Sequence, residues 1–178
     1  MKKTLFSFLV CLPTLATAAT ETSLCINEIM QSNIDCYMVN HDFPDSWVEL
    51  YNPTSSAISL NNYYIGSSSN VSTAFQITQT VSIAPMGHIL IYCDKEATGL
   101  HTDFCLESTN AGSIYLFDDT KNLIATLSYP EMPAANIAYG RKSDGEQNNW
   151  GWELTPTPGA TNSGEFSDVL LPDPVFSM

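Results

Sequence analysis

Cations are scarce in this 178-residue chain: six Lys and Arg stand against 19 Asp and Glu, for a net charge of −13. Lys2 and Lys3 belong to a leader described below, which leaves Lys95, Lys121, Arg141 and Lys142. A phosphate backbone is tracked by clustered Lys and Arg, so nucleic acid is excluded as a partner. Acidity of this kind serves solubility and self-repulsion; its sharper readings are a divalent cation or a basic partner. Long apolar runs are also missing, and none reaches the roughly 20 residues that a membrane-spanning helix needs. No window keeps a helical apolar period beyond about two turns. The cysteines and histidines form no Cys-x-x-Cys or His-x-x-x-His spacing of the kind that holds zinc. His41, His88 and His101 have no mutual metal spacing either; His88 and His101 read as hydrogen-bonding residues near strand ends. Glu28 and Glu49 are the strand carboxylates that a glycosidase would turn into a cleft. No nucleophile or base motif accompanies them, so they read as outward or loop-capping acids and the chain as no enzyme.

Residues 1–18 have the build of a signal peptide. Lys2 and Lys3 form a basic start, Leu5 to Leu12 a short apolar run ended by Pro13, and Ala16-Thr17-Ala18 the small residues that precede cleavage. The mature chain is therefore expected to begin at Ala19 and to be secreted or held at the cell surface. Its remaining length suits one domain.

The clearest strand is Trp47-Val48-Glu49-Leu50-Tyr51, ended by Asn52-Pro53. Val48 and Leu50 share one face; Trp47, Glu49 and Tyr51 share the other. Such a strand is packed on both sides, or on one side with an aromatic outer cover. Further runs are expected at 24–30, 60–66, 73–78, 87–93, 102–106, 113–117, 123–129 and 136–141, the 87–93 run buried on both faces. Asp118-Asp119-Thr120-Lys121-Asn122 reads as a hairpin loop, its acids explained by turn chemistry. Many short strands separated by turns mean an all-β sandwich or barrel. The Thr155-Pro156-Thr157-Pro158-Gly159 stretch reads as an extended exit arm, and 163–178 as a linker leading into a following module.

Four cysteines follow the leader: Cys25, Cys36, Cys93 and Cys105. An even number in an exported chain suggests disulfides, and four allow three pairings. Each sequence-adjacent pair closes a local excursion from the sheet, so Cys25–Cys36 and Cys93–Cys105 are the expected bridges. Asn40, Asp42 and Asp45 offer oxygens for a calcium ion, the one cofactor the sequence suggests. Trp47, Tyr51, Tyr63 and Tyr64 are candidates for an aromatic patch that meets sugar or protein. Asn70-Val71-Ser72 is an N-glycosylation sequon in a host that makes N-glycans.

An ordered set of pieces carries a resemblance. Ile26-Asn27-Glu28-Ile29-Met30, Trp47 to Pro53, the tyrosine strand after Leu60, and Ile83-Ala84-Pro85-Met86-Gly87 come first. His101-Thr102-Asp103-Phe104, Tyr139-Gly140-Arg141, Trp150 and Pro156 to Ala160 complete it. In this order they resemble a bacterial lamin-tail domain, across roughly residues 24–162. The resemblance implies an immunoglobulin-like β-sandwich of about eight to ten short strands over residues 19–162. It also implies a non-catalytic binding or spacer module of a multidomain exported protein, monomeric, with a protein or glycan partner at the cell surface. Such modules accompany nucleases, kinases of the spore-coat type or chitobiase-type domains, and Pro174-Val175-Phe176-Ser177 resembles the opening of the last. The alternatives are an accessory domain of a secreted enzyme whose catalytic domain lies beyond residue 178, or a calcium-stabilised adhesion module.

Overall fold

The computed structural model describes residues 19–34, 45–107 and 110–167. The leader, Cys36, Asn40, His41, Asp42 and the Pro174–Ser177 stretch lie outside these residues.

Among the described residues, twelve strands form three antiparallel sheets. In chain order they are β1 (Cys25–Met30), β2 (Trp47–Tyr51), β3 (Ile58–Ser59), β4 (Tyr64–Gly66), β5 (Phe75–Gln76), β6 (Ser82–Ile83), β7 (His88–Tyr92), β8 (Gly112–Phe117), β9 (Leu123–Tyr129), β10 (Ala138–Arg141), β11 (Trp150–Glu153) and β12 (Phe166–Ser167). The large sheet runs β12-β11-β10-β1-β2-β7, a second runs β5-β4-β8-β9, and β3 pairs with β6. Ile26, Ile29, Val48, Leu50 and Ile91 of the large sheet pack against Ile65, Ile114, Leu116 and Leu127 of the second. That shared core makes the fold a β-sandwich.

The period-2 pattern of β2 is realised on both sides. Val48 and Leu50 face the inter-sheet core. On the opposite face, Trp47 joins Met30, Leu90 and Ala138 in a smaller cluster that Tyr92 flanks. Every residue of β2 is buried, so the strand has no open aromatic cover.

Four features depart from the sequence expectations. The 87–93 run, expected to be buried on both faces, forms β7 at the edge of the large sheet, where only Leu90 and Ile91 of the strand are buried because no further strand among the described residues covers it. Residues 102–106 form no strand and contribute only a single bridge, from Cys105 to Asp94; a tight excursion occupies the preceding residues instead. Ser163 to Asp168 was expected to be linker, yet Phe166 and Ser167 pair with Glu153 and Trp152 and add the edge strand β12. The Thr155 to Asn162 stretch does not extend away. Ala160 N donates to Thr157 O at 3.0 Å, with Pro158 and Gly159 between them and Gly159 at φ +77°. This is a type II turn, for which Pro and then Gly are the preferred central residues. The hairpin loop at 118–122 stands as expected: Asp118 Oδ1 accepts from Thr120 N at 2.9 Å and Asn122 N at 2.8 Å.

Candidate functional site

Two groups of ionisable side chains stand out, one sealed and one near the surface.

The sealed group lies on the outer face of the large sheet. Glu28 of β1 pairs with Glu49 of β2 on one side and with Gly140 of β10 on the other. A register shift between Ile26 and Glu28 marks a bulge at Asn27. Without that extra residue, Glu28 would point into the apolar core. Glu153 of β11 approaches across Gly140, where an added Cβ would stand 3.2 Å from Glu28 Cγ and 3.5 Å from Glu153 Oε2. Glycine supplies room here, and its backbone conformation is ordinary. Glu28, Glu49 and Glu153 are all fully buried. Glu28 and Glu49 are therefore not solvent-facing acids; strand alternation places them on the outer face beneath a cover, and Glu49 caps that covering loop as expected.

The cover is the turn-forming arm. Gly159 N donates to Glu49 Oε2 at 2.7 Å. Thr157 Oγ1 and Gly164 N donate to Glu153 Oε1 at 3.1 and 3.2 Å. The Asn27 amide reaches Glu49 Oε1, Asp144 Oδ1 and Asn162 Oδ1, each at 3.0 Å. Asn162 N donates to Asp144 Oδ1 at 2.9 Å, and His88 Nε2 lies 3.2 Å from Asp144 Oδ2.

Protonation follows from this geometry. Burial pushes Glu49 up to about 7, against the Asn27 amide and the Gly159 N–H that favour its ionised form. Burial, then the neighbouring Glu153 charge, raises Glu28 much further. Burial also raises Glu153, although its bond with Glu28 pulls the other way. Burial and the second carboxyl both favour a protonated Glu28 at neutral pH. Burial favours a neutral His88 ring, but the Asp144 carboxylate outweighs it and the pKa rises. Burial works against Asp144 as well, yet His88 and the Asn162 and Asn27 donors hold its carboxyl low. These acids can fasten the arm to the sheet. Closed off from water, they cannot attack a substrate.

The second group gathers one residue of the expected calcium set. Asp45 stands beside Asp94 and His101, with one ligand atom from each within 4.8 Å of the others. Asn40 and Asp42 lie outside the described residues. Sequence spacing hid this cluster, since Asp45 precedes β2 whereas Asp94 and His101 follow β7, its partner in the sheet.

The aromatic patch does not form. Trp47 and Tyr51 are buried in the large sheet, where Tyr51 stacks on His88 at 4.8 Å. Tyr64 belongs to the second sheet, with Lys121 Nζ 5.5 Å from its ring centre, and Tyr63 packs against the core. The four rings are divided between two sheets because β2 and β4 pair with different partners.

Cys25, Cys93 and Cys105 are free thiols in the structure. The expected Cys93–Cys105 bridge is thus not formed here, and the partner expected for Cys25 lies outside the described residues. Burial raises Cys25 to about 12 and lifts Cys93 beyond that, which makes both poor nucleophiles.

Sequence reasoning missed Asp144, Asn162 and Glu153 as partners of Glu28 and Glu49. The signal was the Thr-Pro-Gly turn, whose free N–H groups call for acceptors.

The family model described as Lamin Tail Domain matches residues 17–131. No curated protein matches the chain.

Proposed function

Because the chain belongs to the lamin tail domain family, an immunoglobulin-like fold, we propose that it works as a non-catalytic module of a larger exported protein. It acts by binding a protein or glycan partner outside the cell or by spacing its neighbours. One observation carries this reading: Glu28, Glu49 and Glu153 are fully buried, and the polypeptide that covers them donates to Glu49 and Glu153. General acid–base chemistry needs a proton donor within reach of a substrate. The mature chain is expected to turn over no glycan, ester or nucleic acid. Turnover that disappears in Glu28→Gln or Glu49→Gln would overturn the reading.

Export to an oxidising compartment has a consequence for the thiols. Asp94 bridges to Cys105, which sets Cys93 and Cys105 in the same neighbourhood. Oxidation there is expected to join them and to stabilise the domain by roughly 2–3 kcal/mol. Non-reducing peptide mapping of exported protein checks this, and a Cys25–Cys93 peptide would contradict it. With its net charge of −13, the chain favours a partner surface that is neutral or basic.

A further inference from the structure

The β2–β7 ladder brings two acidic side chains together just past its end. Trp47 pairs with Tyr92 at its end. One step further, Cys93 N donates to Ser46 O and Ser46 Oγ donates to Cys93 O, both at 2.8 Å. The next step brings the segment carrying Asp45 against Asp94. Like charges facing each other across a ladder are destabilising, and a cation between the two carboxylates would relieve that repulsion.

The third member is delivered by a compact excursion. After Asp94 the chain turns through left-handed conformations at Lys95 (φ 70°), Ala97 (φ 55°) and Gly99 (φ 60°). Thr98 and His101 exchange both backbone hydrogen bonds, at 3.0 and 2.8 Å. Asp94 Oδ1 accepts from Glu96 N at 3.0 Å, which leaves Oδ2 against His101 Nδ1. The His101 ring is stacked on Tyr92 with centroids 4.8 Å apart and planes 23° apart. Stacking fixes the ring plane, the Asx turn fixes the Asp94 carboxylate, and Glu96 Oε2 adds a further oxygen 3.7 Å from His101 Nδ1.

We propose that Asp45, Asp94 and His101 form a binding site for a first-row transition dication of the zinc type, with Glu96 available as a fourth ligand. Two carboxylates and an imidazole suit zinc, manganese or iron(II), whereas calcium takes oxygen ligands almost throughout. The imidazole thus turns the calcium expectation for Asp45 toward a different class of ion. Ligand atoms about 2.0–2.2 Å from a tetrahedral zinc stand closer to one another than the 4.8 Å that bounds this set, so only small rotations are needed. Metal binding displaces protons from its ligands and therefore weakens as pH falls.

Calorimetric titration of the mature chain with zinc and calcium chlorides tests this, beside Asp94→Asn, His101→Gln and the more peripheral Asp45→Asn. Circular dichroism checks that each variant is folded. One zinc per chain is expected, with a raised melting temperature and binding at least about tenfold weaker in each folded variant. Cobalt(II) is expected to give d–d absorption without a sulfur-to-metal charge-transfer band. The proposal is overturned if zinc does not bind at one per chain. It also falls if the folded variants bind like the parent, if calcium binds more tightly than zinc, or if a charge-transfer band shows that the cysteines are the ligands.

Discussion

Trp47→Ala is expected to cost about 3–5 kcal/mol and Leu50→Ala about 2–5 kcal/mol, a large part of the roughly 5–15 kcal/mol that holds a domain together. The two residues lie on one strand and strike different cores. Leu50 is sealed between the sheets, where truncation leaves a cavity that rigid strands cannot collapse. Trp47 fills the outer-face cluster with Met30, Leu90 and Ala138, and its indole N–H has no hydrogen-bond partner among the described residues. Trp47→Phe removes that unmet donor while keeping much of the ring, so it should cost far less than alanine. Urea unfolding of the three variants checks the order. A Leu50→Ala protein melting within a degree or two of the parent would contradict this packing.

Stability is expected to fall as pH rises from about 5 to about 8. The sign follows from the buried acids. Glu28, Glu49 and Glu153 all have carboxyl pKa values above the ordinary one when folded. The folded state then binds protons that the unfolded chain has released. Each such proton lowers stability by about 1.4 kcal/mol per pH unit, beginning near the unfolded carboxyl value and ending at the folded one. For Glu49 that window closes at about 7; for Glu28 it extends higher. His88, raised by Asp144, contributes stability that is also lost with rising pH. Asp144 acts in the opposite sense, since its lowered pKa gives stability that is lost only as pH falls through the acid range. Glu28→Gln keeps a donor toward Glu153 but no longer ionises. It should flatten the slope and raise the urea midpoint at about pH 8. A parent midpoint that is constant or rising between about pH 5 and 8 would refute the account.

The central strands were legible because apolar alternation and turn residues determine them locally. The β2 pattern and the 118–122 hairpin followed from neighbours in sequence; the two-sided burial of β2 was one of two packings that pattern allowed. What escaped the sequence was long-range. Glu28 and Glu49 looked like surface acids because nothing near them announces the arm that covers them. Asp45 finds its partners Asp94 and His101 only through the β2–β7 register. Strand β12 is two residues long, too short for any periodicity to reveal. Trp47 and Tyr51 looked available for binding because aromatic strand residues serve cores and surfaces equally well, and only the cover decides.

The position of β1 in the large sheet bears on when the domain can form. This strand comes first in the chain, yet it lies between β2 and β10, and Glu28 meets Gly140 over a hundred residues later. The strands that close the sheet, β10 to β12, all follow residue 131, where the family match ends. Contacts of such separation make folding slow, on the scale of roughly milliseconds to seconds. As the chain emerges from its N-terminus, this domain therefore stays open until β10 to β12 have appeared. For a protein proposed to leave the cell, that delay is useful: an unclosed chain can be threaded through a narrow channel. In such a protein the late-arriving segments would commit the structure on the far side.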